Sequence, residues 1–534
     1  MNMKISIRKW LVPLLWLCCL PMAAQLNGSG YYRLRNAANT TDYISLANDK
    51  FNYSTVIGTA GGGLRQFLFG YSSAVARAMT CARAYLRTDI HMVQDADLLN
   101  PSTVLYAEKR YPNNNNNNEY NLVGQSTSLR ALVTGKYPGS QVFYFDNLYV
   151  TVQSTTLNGQ TVYTARIPLK DESGTGDLGI QYFYENNGTF DIAESSNAQS
   201  AKWYIEPVTH FNVQPTVEHE GKYYCTMYTP FAYTLSGEVE KAYVVSEILN
   251  GGIVKKTCIA ETGETVPAGT PVVLECGSNV ASECNLIPTG VPLSCTPDRE
   301  ATSAPPGTTA TNYTGTNLLK GTYFCNTDGN MTFNTTSGTN AGSFNANNNK
   351  AYTESQMRVF GVGSSSGKQG FYKFNGSTMN ANKVWLDISS FSGTVDGFVY
   401  DDAAAEDLIV TENGETKSVR GTVKTIDNVE YITTATKTYE VTNKAGKLVG
   451  DLDNDGMITT DDVTILVNIL LGLNTDYSKV LANVYDDDNE ISSDDVTAMV
   501  NIILELANSK SIYTYDVEDV WIVGGTQDGK ESQP

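Results

Sequence analysis

The most chemically suggestive stretch is Asp451-Leu452-Asp453-Asn454-Asp455-Gly456-Met457-Ile458-Thr459-Thr460-Asp461-Asp462. Read as a twelve-residue loop, it places carboxylates of Asp451, Asp453, Asp455 and Asp462 at positions 1, 3, 5 and 12. Gly456 stands at position 6, where the chain must turn sharply. Met457 would offer its backbone carbonyl at position 7, and Thr459, directly or through a water, position 9. Ile458 stands where such a loop takes an apolar anchor. Four carboxylates held together without a cation repel one another. A hard ion that takes six to eight oxygens is the chemistry this spacing serves, so Ca2+ is the expected ligand.

The pattern recurs 33 residues later, Asp461-Asp462-Val463-Thr464 returning as Asp494-Asp495-Val496-Thr497. The second loop keeps Asp486, Asp488, Ser492 and Asp495, and Glu490 would offer a backbone carbonyl. Val484 at its position 1 has no side-chain oxygen, and Asn489 replaces the glycine. One strong site and one weak or lost site are therefore expected. Each loop leads into a helix with an apolar stripe: Val463, Leu466, Val467, Leu470 and Leu471, then Val496, Met499, Val500, Ile503 and Leu504. Neither stripe can be buried alone, so the two helices are expected to pack together. No amphipathic helix precedes the first loop, since Thr442 to Gly450 has no helical period.

A tandem pair of loop–helix units over residues 450–510, with Asp at position 12, resembles a dockerin type I domain, an EF-hand-like calcium module. The resemblance implies that calcium folds the module. It also implies that the pairs after each position 9, Thr460 with Asp461 and Ser493 with Asp494, help dock a cohesin-like partner. Dockerins often tether polysaccharide-degrading enzymes and their accessories, which points to polysaccharide breakdown at a cell surface.

The first residues read as a secretory signal peptide spanning 1–24. Lys4, Arg8 and Lys9 precede the apolar Trp10–Leu20 run, which is too short to span a bilayer, and cleavage is expected after Ala24. Removing these three charges takes the formal net charge from −20 to −23, a poor match for nucleic acid. Between Asp451 and Glu505, thirteen carboxylates face only Lys479. No later stretch is apolar enough for a transmembrane helix, so a secreted or cell-surface protein is expected. Export permits disulfides. Cys225, Cys258, Cys276, Cys284, Cys295 and Cys325 lie between residues 225 and 325, Cys81 stands apart, and sequence does not give the pairing.

The 534 residues imply several domains. Short alternating runs rich in Tyr, Thr and Val between Gly, Asn and Pro imply a mainly β multidomain chain. We expect a β-rich domain over 26–210, a sandwich or jelly roll over 211–402, a linker with a few strands over 403–449, the all-α calcium module over 450–510, and a tail over 511–534. Within the first, Leu64 to Leu86 reads as a helical insert and Asn113 to Asn118 as a loop. The Gly30-Tyr31-Tyr32-Arg33-Leu34-Arg35-Asn36 opening and the Trp203-Tyr204-Ile205-Glu206-Pro207 close resemble the ends of a ricin-B-type β-trefoil, which implies carbohydrate binding. The later phrases resemble a β-domain common in exported surface proteins.

No catalytic motif stands out. His91, His210 and His219 form no His-Glu-x-x-His, no nucleophile motif accompanies them, and His219-Glu220-Gly221 reads as an exposed turn. Glycosidases need only two carboxylates, which sequence cannot locate, so an O-glycosyl hydrolase stays open beside a glycan-binding or a purely structural surface protein. Trp203 and Trp385 are candidates for stacking on sugar or for the core.

Overall fold

The computed structural model describes residues 28–46, 52–55, 83–88, 90–109, 118–123, 131–134, 142–145, 150–170, 177–193, 195–292, 313–321, 350–364, 366–380, 382–393, 400–474, 477–485 and 490–531, with residues 26, 111, 113, 114 and 398 besides. The expected signal peptide and most of the expected helical insert lie outside them. The chain is mainly β and divides among several sheets. Among the described residues no helix is long and apolar enough to cross a membrane.

The opening strand Gly30–Asn36 lies between the closing strand Trp203–Pro207 and Leu105–Lys109, with Leu34 opposite Ile205 and Gly30 opposite Ala107. Its alternation sends Tyr32 and Leu34 into a core with Ile44, Leu105, Val150, Phe183 and Trp203. Trp203 is fully buried, and its indole N–H donates to the Phe183 carbonyl at 3.2 Å. The end of the expected helix is instead a strand: Arg83–Thr88 pairs with Asn52–Thr55 and with Ala131–Thr134. Strand partners on both sides override the helical preference of Ala and Arg.

Beyond residue 211 a four-stranded sheet, including Ala232–Gly237 and Cys284–Thr289, faces a larger one. Phe211, Tyr233, Leu235 and Leu286 from the first meet Ala242, Val244, Val272 and Leu274 from the second. The larger sheet also turns on itself. Its Tyr224, Tyr243 and Val273 side packs on Phe360, Phe371 and Leu386 from its far strands.

Two stretches depart from expectation. Residues 403–449 are not a linker, and 511–531 is not a tail. Strands Glu406–Glu412, Glu415–Ile426, Val429–Thr434 and Thr438–Leu448 pair in succession. Ser511–Glu531 then pairs antiparallel with Thr438–Leu448 and parallel with Glu406–Glu412, closing a five-stranded barrel. Closure removes the exposed edges that a four-stranded meander would present. Leu408, Val410, Ile432, Tyr439, Tyr515 and Val517 fill the interior. The same last strand runs on into the sandwich, where it pairs with Ile253 and Val254 and with Gly370 and Phe371. Trp521 is its anchor. It is fully buried among Tyr243, Phe360 and Phe371, and its indole N–H donates to Gln369 Oε1 at 2.8 Å. Trp521→Ala is expected to cost about 3–5 kcal/mol, the range for emptying such a site. Urea denaturation reads this as a lower midpoint, and an unchanged midpoint would refute the anchoring role.

Candidate metal centre

Residues 449–510 leave the barrel between its last two strands. Leu448 pairs with Ser511 and the Val449 amide donates to the Lys510 carbonyl at 2.8 Å, so both ends of the segment are tied together. It holds helices α1 (Thr460–Leu470), α2 (Lys479–Ala482) and α3 (Ser493–Ile503). Leu466, Ile469, Ala482 and Met499 make its core, with Leu452, Ile458, Val463, Val484, Val496 and Ile503 packed around them.

The inward face of each helix matches the expected stripe only in part: Val463 and Leu466 on α1 and Val496, Met499 and Ile503 on α3 pack inward as expected. Leu466 and Ile469 are buried on α1, whereas Val467, Leu470 and Leu471 are 37%, 38% and 66% exposed. On α3, Met499 is buried while Val500 and Leu504 face outward. Both helices are apolar on more than one side, so spacing alone did not choose the face. With Leu473 and Leu506, these residues form a duplicated exposed apolar set that the sequence reading missed. The 33-residue repeat pairing 467 with 500 and 471 with 504 was the available signal.

In the first loop, Gly456 has φ +90°, the left-handed turn its position required, and Asn454 has φ +63°. Asp451 and Asp462 are buried, at 3% and 0% exposure. Asp451 Oδ1 accepts the Asp455 amide at 3.1 Å and Oδ2 the Gly456 amide at 3.0 Å. Asp462 Oδ1 accepts the Leu452 and Asp453 amides at 2.7 and 3.2 Å, while Oδ2 accepts the Thr459 amide at 2.8 Å. Thr459 in turn caps α1, its hydroxyl accepting the Asp461 amide at 3.2 Å. This reciprocal box starts the helix and fixes the carboxylate together.

One oxygen each from Asp451, Asp453 and Asp462 lie within 4.8 Å of one another. Oxygens around one calcium at about 2.4 Å can be no more than about 4.8 Å apart, so the spacing of this set is compatible with a single ion. None of the three makes an ion pair among the described residues; Lys447 reaches the loop but donates to Asn454. At Asp453 the Asp455 amide favours the charged form, yet desolvation and the charges of Asp462, Asp455 and Asp451 together push its pKa above the ordinary value. Asp453 is exposed, but Asp451 and Asp462 are buried, and buried carboxylates with no counter-charge are costly; an all-oxygen donor set fits a hard divalent cation. Asp455 stands outside the three-oxygen set, Oδ1 accepting the Met457 amide at 2.8 Å, and Met457 is exposed.

In the second copy, Asp486 and Asp488 lie outside the described residues. Ser492 caps α3 and Asp495, 1% exposed, repeats the box. Its Oδ2 accepts the Ser492 amide and its Oδ1 those of Val484 and Tyr485, at 2.7, 2.7 and 2.9 Å. Val484 packs on the helical core in place of a ligand. Glu490 is exposed. Thr460, Asp461, Ser493 and Asp494 are exposed at the starts of their helices.

Elsewhere, His219 is buried and not part of an exposed turn; it ends a strand, and burial holds its imidazole below the ordinary value. The turn falls at Glu220 and Gly221, both with positive φ. Trp203 and Trp385 are core residues, at 0% and 4% exposure, and offer no face to a sugar.

No protein-family model matches the chain, and no curated protein matches it. Among solved structures, one match is described as "Structure and mode of action of a mosquitocidal holotoxin". It is 10% identical over 76% of this chain and 41% of that chain, with a TM-score of 0.19, too distant to inform fold or function. The chain thus spans less than half of that protein.

Proposed function

We propose that this is an exported calcium-binding protein whose module at 449–510 is a dockerin-like docking unit carried on a β-rich body. The observation that supports it best is the trio Asp451, Asp453 and Asp462, gathered on one point by a helix cap and lacking a cationic partner among the described residues. Asp451, Asp453 and Asp462 would hold Ca2+, with Asp455, Met457 and Thr459 completing the shell. Asp486, Asp488, Glu490, Ser492 and Asp495 would make the weaker second site. The partner is a cohesin-like protein, met by the exposed Thr460, Asp461, Ser493 and Asp494 and by the apolar residues at the helix ends. The N-terminal domain, with its trefoil-like opening and close, serves glycan binding in polysaccharide breakdown.

The test is capture of a cohesin-like domain by the immobilised chain in calcium and in chelator. Calcium-dependent capture, lost by at least tenfold when Thr460, Asp461, Ser493 and Asp494 are all replaced by Ala, is the expected result. Capture that survives the fourfold change with calcium folding intact would remove those residues from the interface. A second reading has its own observation: both ends of the module are paired barrel strands. On that reading calcium braces the barrel, and no partner is captured in either condition.

A further inference from the structure

The sandwich core holds three thiols, those of Cys225, Cys276 and Cys284, exposed by 2%, 0% and 0%. Strand register fixes their relations. Cys276 ends Val272–Cys276 in the larger sheet and lies opposite Val239. Cys284 begins Cys284–Thr289 in the four-stranded sheet and lies opposite Gly237. Gly237 and Val239 flank Glu238, where the chain crosses from one sheet to the other. The Gly277 amide donates to the Glu238 carbonyl, and the Glu238 amide donates to the Glu283 carbonyl, each at 2.8 Å. Both cysteines are therefore drawn to one corner, where two sheets converge. Cys225 differs. It pairs with Leu274 while Cys276 pairs with Tyr223, which makes Cys225 and Cys276 diagonal neighbours on one sheet. Diagonal positions are about 7–8 Å apart, beyond the usual 4.4–6.8 Å Cα separation of a disulfide.

We propose that Cys276 and Cys284 form a disulfide in the exported protein, leaving Cys225 as a buried thiol beside it; the oxidation rests on the export reading, the choice of pair does not. Cys276 adjoins both Cys225 and Cys284, so the shared corner and not proximity alone selects the pair; as a thiol, Cys284 donates to the Ser278 carbonyl at 3.3 Å. Before the core closes either thiol can serve as the first nucleophile. With Cys284 first, its thiolate attacks one sulfur of an oxidant's disulfide, expelling that oxidant's first thiolate and forming a mixed disulfide. Cys276 then loses its proton to water and attacks Cys284 Sγ, expelling the oxidant's second thiolate. Two thiols become one disulfide, and the oxidant, an exported dithiol–disulfide protein or glutathione disulfide, leaves reduced by two electrons. With both sulfurs buried, this occurs before the core closes.

The full chain is reduced, unfolded, refolded in a glutathione redox buffer, alkylated and cut after glutamate. Cleavage at Glu275 and Glu283 separates Cys276–Glu283 from the peptide beginning at Cys284. The expected result is these two peptides joined, fragmentation placing the link at Cys284, and the link retained in Cys225→Ser. Recovery of Cys276 alkylated, or joined to Cys225, overturns the proposal. Chain isolated directly from cells is mapped in parallel. A link present after refolding but absent there supports the pairing and counts against export alone.

Discussion

Chelating calcium is expected to unfold residues 449–510 and to lower the thermal midpoint of the barrel from which they emerge. The module's core is small, four buried side chains ringed by partly buried ones, and without metal it must also hold Asp451 and Asp462 out of water. Calcium at a thousandfold over its dissociation constant contributes about 4 kcal/mol, a large share of such a unit's stability. The barrel shares the loss. Leu448 and Ser511 are paired neighbours, and an ordered module delivers them already close. Once the module is disordered, closing a loop of this length costs roughly 3–4 kcal/mol. Circular dichroism with calcium, with magnesium and with chelator reads the helicity and the melting temperature. Equal helicity in calcium and chelator would end the idea. Lost helicity with an unchanged barrel midpoint would show that the two units are uncoupled.

The second large effect is expected from Asp462→Ala. That carboxylate accepts three backbone amides, completes the cap of α1 and contributes to the oxygen trio. A lost cap costs about 1 kcal/mol, and each buried amide left without an acceptor about 1–3 kcal/mol. Calorimetric titration should show the tighter calcium site weakened by at least a hundredfold. Asp461→Ala, one residue away and exposed, should change it by no more than about twofold. Asp495→Ala should loosen α3 and leave the first site. If Asp462→Ala binds calcium as the parent does, the site is not where the trio places it.

Much of this centre was legible because its determinants are local. Asp451, Asp453, Gly456, Thr459 and Asp462 lie within twelve residues, so side-chain type and spacing nearly specify the turn, the cap and the converging oxygens. Individual strands were readable for the same reason: Val162 to Ile167 and Val429 to Ile432 alternate and are bounded by turn residues, and both fall in strands. What failed is non-local. Ser511 to Glu531 gives no sign that its first half closes a barrel with residues 105 positions earlier. Nor does it show that Trp521 fills a core made by Tyr243, Phe360 and Phe371. The face of α1 was only partly read because Ile465 and Ile469 compete with Val467, Leu470 and Leu471 for the interior beside Leu466, and only the position of α3 decides between them.

The insertion of the module between paired strands also sets how tension would travel. A docking unit at a free terminus would pull its body along a single chain. Here any load on α1 or α3 enters through Leu448 and Ser511 at once, two adjacent residues at the same end of an antiparallel ladder. Load of that kind peels hydrogen bonds in sequence from the end. The opposing element is the last strand itself, whose far half is built into the sandwich by Trp521 and whose near half is also held laterally by Ile409 to Glu412. The barrel would therefore serve as a yielding link, opening from its module end while the sandwich keeps its grip.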